Sequence, residues 1–398
     1  MKIPTSSSVR LWTMTIGVIV CAACDRQTDR TSNSNMLSSE IDTVTVLEDN
    51  DTPVDSIIKN IEYVKLQSFN NALIGYVSKI IVTEDRIVVA DTRMAQAVFV
   101  FDRKGNAKAV ISRLGRGPQE YTYMADASIT PDQKQVVVMD NRADKLVYYD
   151  MDGKFIKAKQ ELPLQASSMD FVDGKTMLFT TSGTSKRADI PAEMSLHYVD
   201  TDLNVQESTL PTQQNSAQGF TMIPVIKRNG DRLHVTPVYS DTIYRVTPEG
   251  RIPDYWIDMS RVNGKTNRDF DYPMTNKKFD QMMKEASFFN GLFAESDNFG
   301  LFRVFYPKRG KLVLYSKPKK KSYNLNMDRL SDIFHVYLNS NEIFTYKDQF
   351  IKAVPAYSFT SKLPKKNELY EEIQQGLTAD DNPVLLFYTF KDTDARID

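Results

Sequence analysis

The stretch "VTEDRIVVADTRMAQAVFVFDRKGNAKAVIS" (Val82–Ser112) returns in pattern as "ITPDQKQVVVMDNRADKLVYYDMDGKFIKAK" (Ile129–Lys159). Asp91 answers to Asp140, Asp102 to Asp150 and Gly105 to Gly153, at offsets of 49, 48 and 48 residues. One unit is therefore used twice. It reads as an apolar strand, a polar turn, a second strand rich in Val, Ile or Met, a turn, a strand ending aromatic-Asp, and a glycine turn into a fourth strand. That order is a four-stranded antiparallel meander.

Outward from this pair the copies wear but persist. A third runs through "SSMDFVDGKTMLFTTS" and "MSLHYVDTDLNVQES", with Asp200 lying 50 residues after Asp150. "IKRNGDRLHVTPVYSDTIYRVTPEGRI", "FAESDNFGLFRVFYPKRGKLVLYSKPKKKSYNL" and "DIFHVYLNSNEIFTYKDQFIKAV" supply three more. The turn between first and second strands is expected near Asp85, Asp132, Asp173, Asn229, Asp297 and Asn339. Six such turns imply six sheets. A sheet of this size cannot cover both of its apolar faces alone, so the expected fold is all-β, a six-bladed β-propeller with four-stranded antiparallel blades.

Two stretches break the rhythm and are expected as short helical inserts: Asn267–Phe293, with apolar residues at helical spacing, and Leu363–Leu377, "LPKKNELYEEIQQGL". The chain closes on the β-prone run "NPVLLFYTFK", expected in the last sheet or paired with "DTVTVL" near the N-terminus. Strands from both ends would close the ring and remove an exposed edge.

The N-terminal residues "MKIPTSSSVRLWTMTIGVIVCAACD" place Lys2 and Arg10 ahead of an apolar run that stops at Cys24, the form of a secretory leader. "CAAC" has the shape of a lipobox, although Cys21 stands where leucine is usual, and it marks Cys24 for lipidation. Residues 1–23 are thus expected to be a lipoprotein signal peptide, 24–40 a polar flexible tether, and 41–398 the propeller. Cys21 and Cys24 are the two cysteines of the chain, so the domain beyond them has neither a disulfide nor a thiolate metal site. A net charge of −1 argues against nucleic-acid binding.

Taken together, "CAAC", "IIKNIEYVKLQS", "RLGRGPQEY", "VYYDMDGKF" and "DDNPVLLFYTFK" resemble the six-bladed β-propeller lipoproteins of Bacteroidetes, which are related in blade pattern to the NHL repeat. The resemblance spans the mature chain. It implies a lipid-anchored protein of the cell envelope, most simply of the outer membrane.

"RLGRGPQEY" (Arg113–Tyr121) has the glycines and basic residues of a phosphate loop, but a phosphate loop needs a helix N-terminus behind it, and here a strand follows. It is instead the joint between two blades. Turns in a meander alternate ends, so the turn after the second strand and the joint after the fourth open on one face. Asp91, Arg93, Asp140 and Arg142 from the turns, with Arg113, Arg116, Glu120 and Tyr121 from the joint, form the candidate ligand-facing mouth.

Catalytic signatures are sparse. His197, His234 and His335 are the only histidines and none stands in a metal-binding spacing, so no cofactor is assigned, with a channel metal held by oxygen ligands left open. "SKPKKKSY" (Ser316–Tyr323) reads as a solvated hairpin tip. The favoured reading is a binding or interaction module acting through its inter-blade loop face, with a glycan or an envelope protein as partner. The alternative is a propeller hydrolase or lyase with a metal or acid/base site over the channel.

Overall fold

The computed structural model describes residues 41–47, 51–52, 57–69, 72–185, 189–211, 213–215, 220–222, 225–237, 239–270, 275–307, 309–325, 343–360 and 368–391. These lie in one compact unit, Glu40–Asp398; the expected leader and tether fall outside the described residues. Six antiparallel blades make up the ring. Blade one contains Lys79–Val82, Arg86–Asp91, Ala97–Asp102 and Ala107–Ile111; blade two contains Asp126–Ile129, Gln135–Asp140, Lys145–Asp150 and Phe155–Gln160. Blades three and four begin at Leu164 and Val225, and blade five at Ala286. Blade six is built from Ile343–Tyr346, Gln349–Val354 and Val384–Phe390.

The burial of the strands explains their composition. In blade one the second and third strands are buried almost throughout, whereas the outermost alternates between partly covered and buried positions. Middle strands are covered on both faces by neighbouring blades, so they read as continuous apolar runs. The apolar contacts gather in seams, each between two blades. Val100, Tyr121 and Tyr149 join blades one and two; Tyr255, Phe293 and Phe302 join blades four and five; Phe99, Ile351 and Phe387 join blades six and one.

The aspartate of the repeat works as a turn cap. Asp102 Oδ1 accepts from the Lys104 and Asn106 amides at 2.9 and 3.0 Å, and Asp150 and Asp200 do the same in blades two and three. Gly105 and Gly153 follow with φ of +85° and +80°. Leu203 adopts φ 68° at the corresponding place in the worn third copy.

Of the two expected places for the C-terminal run, the last sheet is the one it takes, and the strand that closes the ring beside it is not "DTVTVL". Val384–Phe390 pairs antiparallel with Ile58–Lys65, Leu386 opposite Tyr63. Asp42–Thr45 instead adds in parallel to the outer edge of blade four, beside Tyr255–Asp258. Val44 and Val46 are fully buried there with Tyr255 and Ile257, which fixes that strand's place.

Three further expectations are corrected or bounded. The insert within Asn267–Phe293 is helical only at its start, as a short turn at Asn267–Asp269 and a helix at Asn276–Glu285 capped by Thr275; Ala286–Glu295 is the innermost strand of blade five. "ASFFNGLF" is buried on both faces, and such a run carries no period that separates helix from strand. Within the second insert, Leu363–Leu377, Glu368–Gln374 is helical, and a separate short helix, Tyr357–Thr360, precedes it. The first turn of blade six lies at Lys347–Asp348, because Tyr346 pairs with Gln349; Asn339 and His335 fall outside the described residues.

Candidate functional site

Asp91 and Asp140 are fully buried on the loop face. Asp91 accepts four backbone amides: Gly75 at 2.9 Å, Tyr76 at 2.8 Å, Arg93 at 3.1 Å and Met94 at 2.7 Å. Asp140 binds Thr122, Arg142 and Ala143 amides at 2.5, 3.0 and 2.9 Å. In both blades the carboxylate pins the incoming segment to the turn after the second strand. Beside each, an exposed guanidinium lies over an aromatic ring, Arg93 on Tyr76 at 4.4 Å and Arg142 on Tyr123 at 4.0 Å. The aspartates are committed to backbone amides, while the Arg–Tyr pairs present outward.

The joint residues sit differently. Tyr121 is buried and its hydroxyl donates to the Gln96 carbonyl at 2.6 Å; burial pushes its pKa up to about 12. Glu120 accepts from the Gly117 amide at 2.7 Å, and a Cβ on Gly115 would stand 2.0 Å from its carboxylate, so both residues shape the turn. Arg116 is exposed. Arg113 borders a shallow depression with Asp152, Gly153 and Phe155, the outer turn of blade two.

One pocket of about 430 Å³ opens on the loop face where blades six and one meet. Ile74, Tyr76, Phe344 and Pro355 line it, with Tyr357, Asp380 and Asp381 toward its rim. Leu73 and Tyr357 keep 48% and 62% of their surface exposed, unusual for residues of their kind in a packed seam. Tyr76 connects the pocket to Arg93. Sequence reasoning missed this site, because its wall joins Leu73–Val77 to segments that begin only at Phe344 and run to Pro383.

It also missed a cluster between blades four and five. His234, Asp254 and Glu295 place ligand atoms within 4.8 Å of one another. His234 Nε2 lies 2.7 Å from Asp254 and Nδ1 3.1 Å from Glu295. Burial works against ionisation of Asp254, but the His234 hydrogen bond and the charges of His234, Arg245 and Lys317 outweigh it and hold the carboxyl below its usual range. Lys317, from the "SKPKKKSY" hairpin tip, contacts Glu295 and donates to the Ser296 carbonyl at 2.7 Å; Tyr255 donates to Glu295 at 2.9 Å. The lysine ammonium already stands where a cation would compensate these carboxylates. His197 is likewise satisfied, between Ser208 at 2.9 Å and Thr181 at 3.2 Å, and burial pushes it down to about 4.

The chain is similar to several solved structures, and the first of them shares its architecture. A Bacteroides fragilis protein described as exported is 16% identical, with a TM-score of 0.69, over 88% of this chain and 100% of that one. A member of the DUF4221 family from Bacteroides vulgatus is 10% identical, TM-score 0.45, over 84% and 99%. Virginiamycin B lyase from Staphylococcus aureus is 12% identical, TM-score 0.41, over 83% and 99%. No curated protein matches. Residues 38–389 match the domain of unknown function DUF4934, and the chain belongs to that family.

Proposed function

We propose that this chain is a recognition module of the bacterial envelope, tethered by lipid on Cys24, which binds a glycan in the loop-face pocket between blades six and one. The pocket carries this reading. Its volume of about 430 Å³ lies in the usual range for small-molecule sites, and apolar walls with a few polar groups at the rim are their usual composition. Tyr76 and Tyr357 offer aromatic surface to a sugar ring, and Asp380 offers an acceptor to its hydroxyls, while Asp381 is held by Thr378 and Ser68. The Arg93–Tyr76 stack holds one aromatic wall in place, which lowers the ordering cost of binding.

The envelope location is supported by the leader-like first two dozen residues and by the likeness to a protein described as exported. Membrane partitioning that survives Cys24→Ala refutes the anchor. The hydrolase or lyase reading would place its chemistry at the His234 cluster beside the axial channel, whose Glu295 is already compensated by Lys317. Thermal-shift titration with oligosaccharides and peptidoglycan fragments tests recognition, since a ligand of the folded state raises the melting temperature. Tyr76→Ala and Tyr357→Ala are expected to abolish that rise. A shift that both variants retain refutes the pocket, and envelope proteins are the next partners to screen.

A further inference from the structure

The innermost strands surround an axial cavity of about 90 Å³, against the roughly 10–15 Å³ that one water needs. Counting register from the first hairpin of each blade places Ile81, Ser128, Asp170, Lys227, Ala294 and Phe344 at one level. The charges facing it come from five blades. Lys79 of blade one lies 2.8 Å from Asp126 of blade two and also donates to the Met169 carbonyl at 3.3 Å. Arg228 of blade four lies 3.1 Å from Asp170 of blade three and spends its other nitrogens on the Gly230 and Phe171 carbonyls. Glu295 of blade five is held by Lys317, Arg232 and His234.

Lys227 stands apart. Among the described residues no carboxylate comes within ion-pair distance of its ammonium, which instead lies 5.4 Å from the centre of the Phe344 ring. Lys79, Arg228, Asp170 and Glu295 each have an opposite charge beside them, which leaves Lys227 as the uncompensated charge among the described residues that line the cavity. Burial, with the Lys79 ammonium nearby, pushes the Lys227 amine down to about 8, so it is still largely protonated at neutral pH. A half-buried charge without a partner carries a desolvation cost, and an anion of equal charge offsets it.

We infer that this level of the channel binds a small monocarboxylate, its carboxylate on the Lys227 ammonium and its hydrocarbon end against Ile81, Ala294 and Phe344. A single residual charge suits a monoanion, and the apolar remainder of the wall suits a short hydrocarbon better than the fully polar surface of a phosphate. The site shares Phe344 with the loop-face pocket but not Tyr76, so Tyr76→Ala leaves the Lys227 ammonium in place.

The test uses the full-length protein, titrated with ¹³C-carboxyl acetate and butyrate at fixed ionic strength, with chloride and inorganic phosphate as comparison anions. NMR line broadening and melting temperature are the readouts, with circular dichroism checking the fold. Saturable carboxylate binding is expected, weakened about tenfold or more in Lys227→Met, the scale of one lost hydrogen bond to a charged group, and retained in Lys227→Arg. The wild-type chain supplies a second reading that needs no variant: affinity falls about tenfold per pH unit above the amine's pKa as the ammonium is lost. Equal binding by Lys227→Met, constant affinity from pH 7 to 10, phosphate preferred over carboxylates, or no carboxylate binding to the wild type each overturns the assignment.

Discussion

Gly105→Ala probes the closure of the ring. Gly105 has φ +85°, and a Cβ built there would stand 2.2 Å from the Lys65 carbonyl oxygen. That carbonyl belongs to the closing strand, where Lys65 pairs with Val384, and just beyond it Gln67 donates to the Gly105 carbonyl at 2.9 Å while its side chain accepts from the Ala107 amide at 3.0 Å. The left-handed backbone costs an alanine about 1–2 kcal/mol. Relieving the clash means moving the closing strand and weakening two hydrogen bonds worth about 1 kcal/mol each, so the total is about 3–4 kcal/mol. Gly153 is the matched control: φ is +80°, but its nearest neighbour atom would be 3.5 Å away, so Gly153→Ala carries the backbone cost alone. Urea unfolding, followed by Trp256 fluorescence in blade four and by circular dichroism, measures both. Equal destabilisation of the two variants refutes the claim that the Gly105 turn clamps the N-terminal strand.

Other perturbations follow from the buried polar groups. Burial holds the folded-state pKa of His197 at about 4, below the ordinary value of about 6.5, so unfolding takes up a proton, and stability is full above about pH 6.5 and falls toward pH 4 by roughly 3 kcal/mol; His197→Gln is expected to flatten that pH slope, and an unchanged slope contradicts it. Lys317→Ala leaves the buried Glu295 without its closest cation, a change expected to cost about 3–5 kcal/mol in urea melts and to be partly offset by a divalent cation. Asp140→Ala strips three amides of their acceptor, with an expected cost of about 3 kcal/mol or more, whereas the exposed Arg116→Ala stays within about 0.5 kcal/mol.

The parts of this fold legible in the sequence are those written in local chemistry. Asp102 and Gly105 are four residues or fewer from the amides they organise, so their recurrence announced the blades. Ring closure is different, because Lys65 meets Val384 across 319 residues. Two N-terminal stretches were equally β-prone, and only the ring decides that Ile58–Lys65 closes it while Asp42–Thr45 caps blade four. Alternating turns put Asp91 and Arg113 on one face without giving their distance from the axis, and Arg113 lies against the outer turn of blade two. His234 looked like an ordinary strand residue because its partners Asp254 and Glu295 come from another strand and another blade.

Tyrosine-selective NMR of the protein during a glycan titration tests the central claim most directly. Binding in the seam pocket predicts saturable shifts at Tyr76 and Tyr357, with the blade-interior Tyr148 and Tyr198 unmoved. Saturable binding that leaves Tyr76 and Tyr357 unchanged contradicts the account.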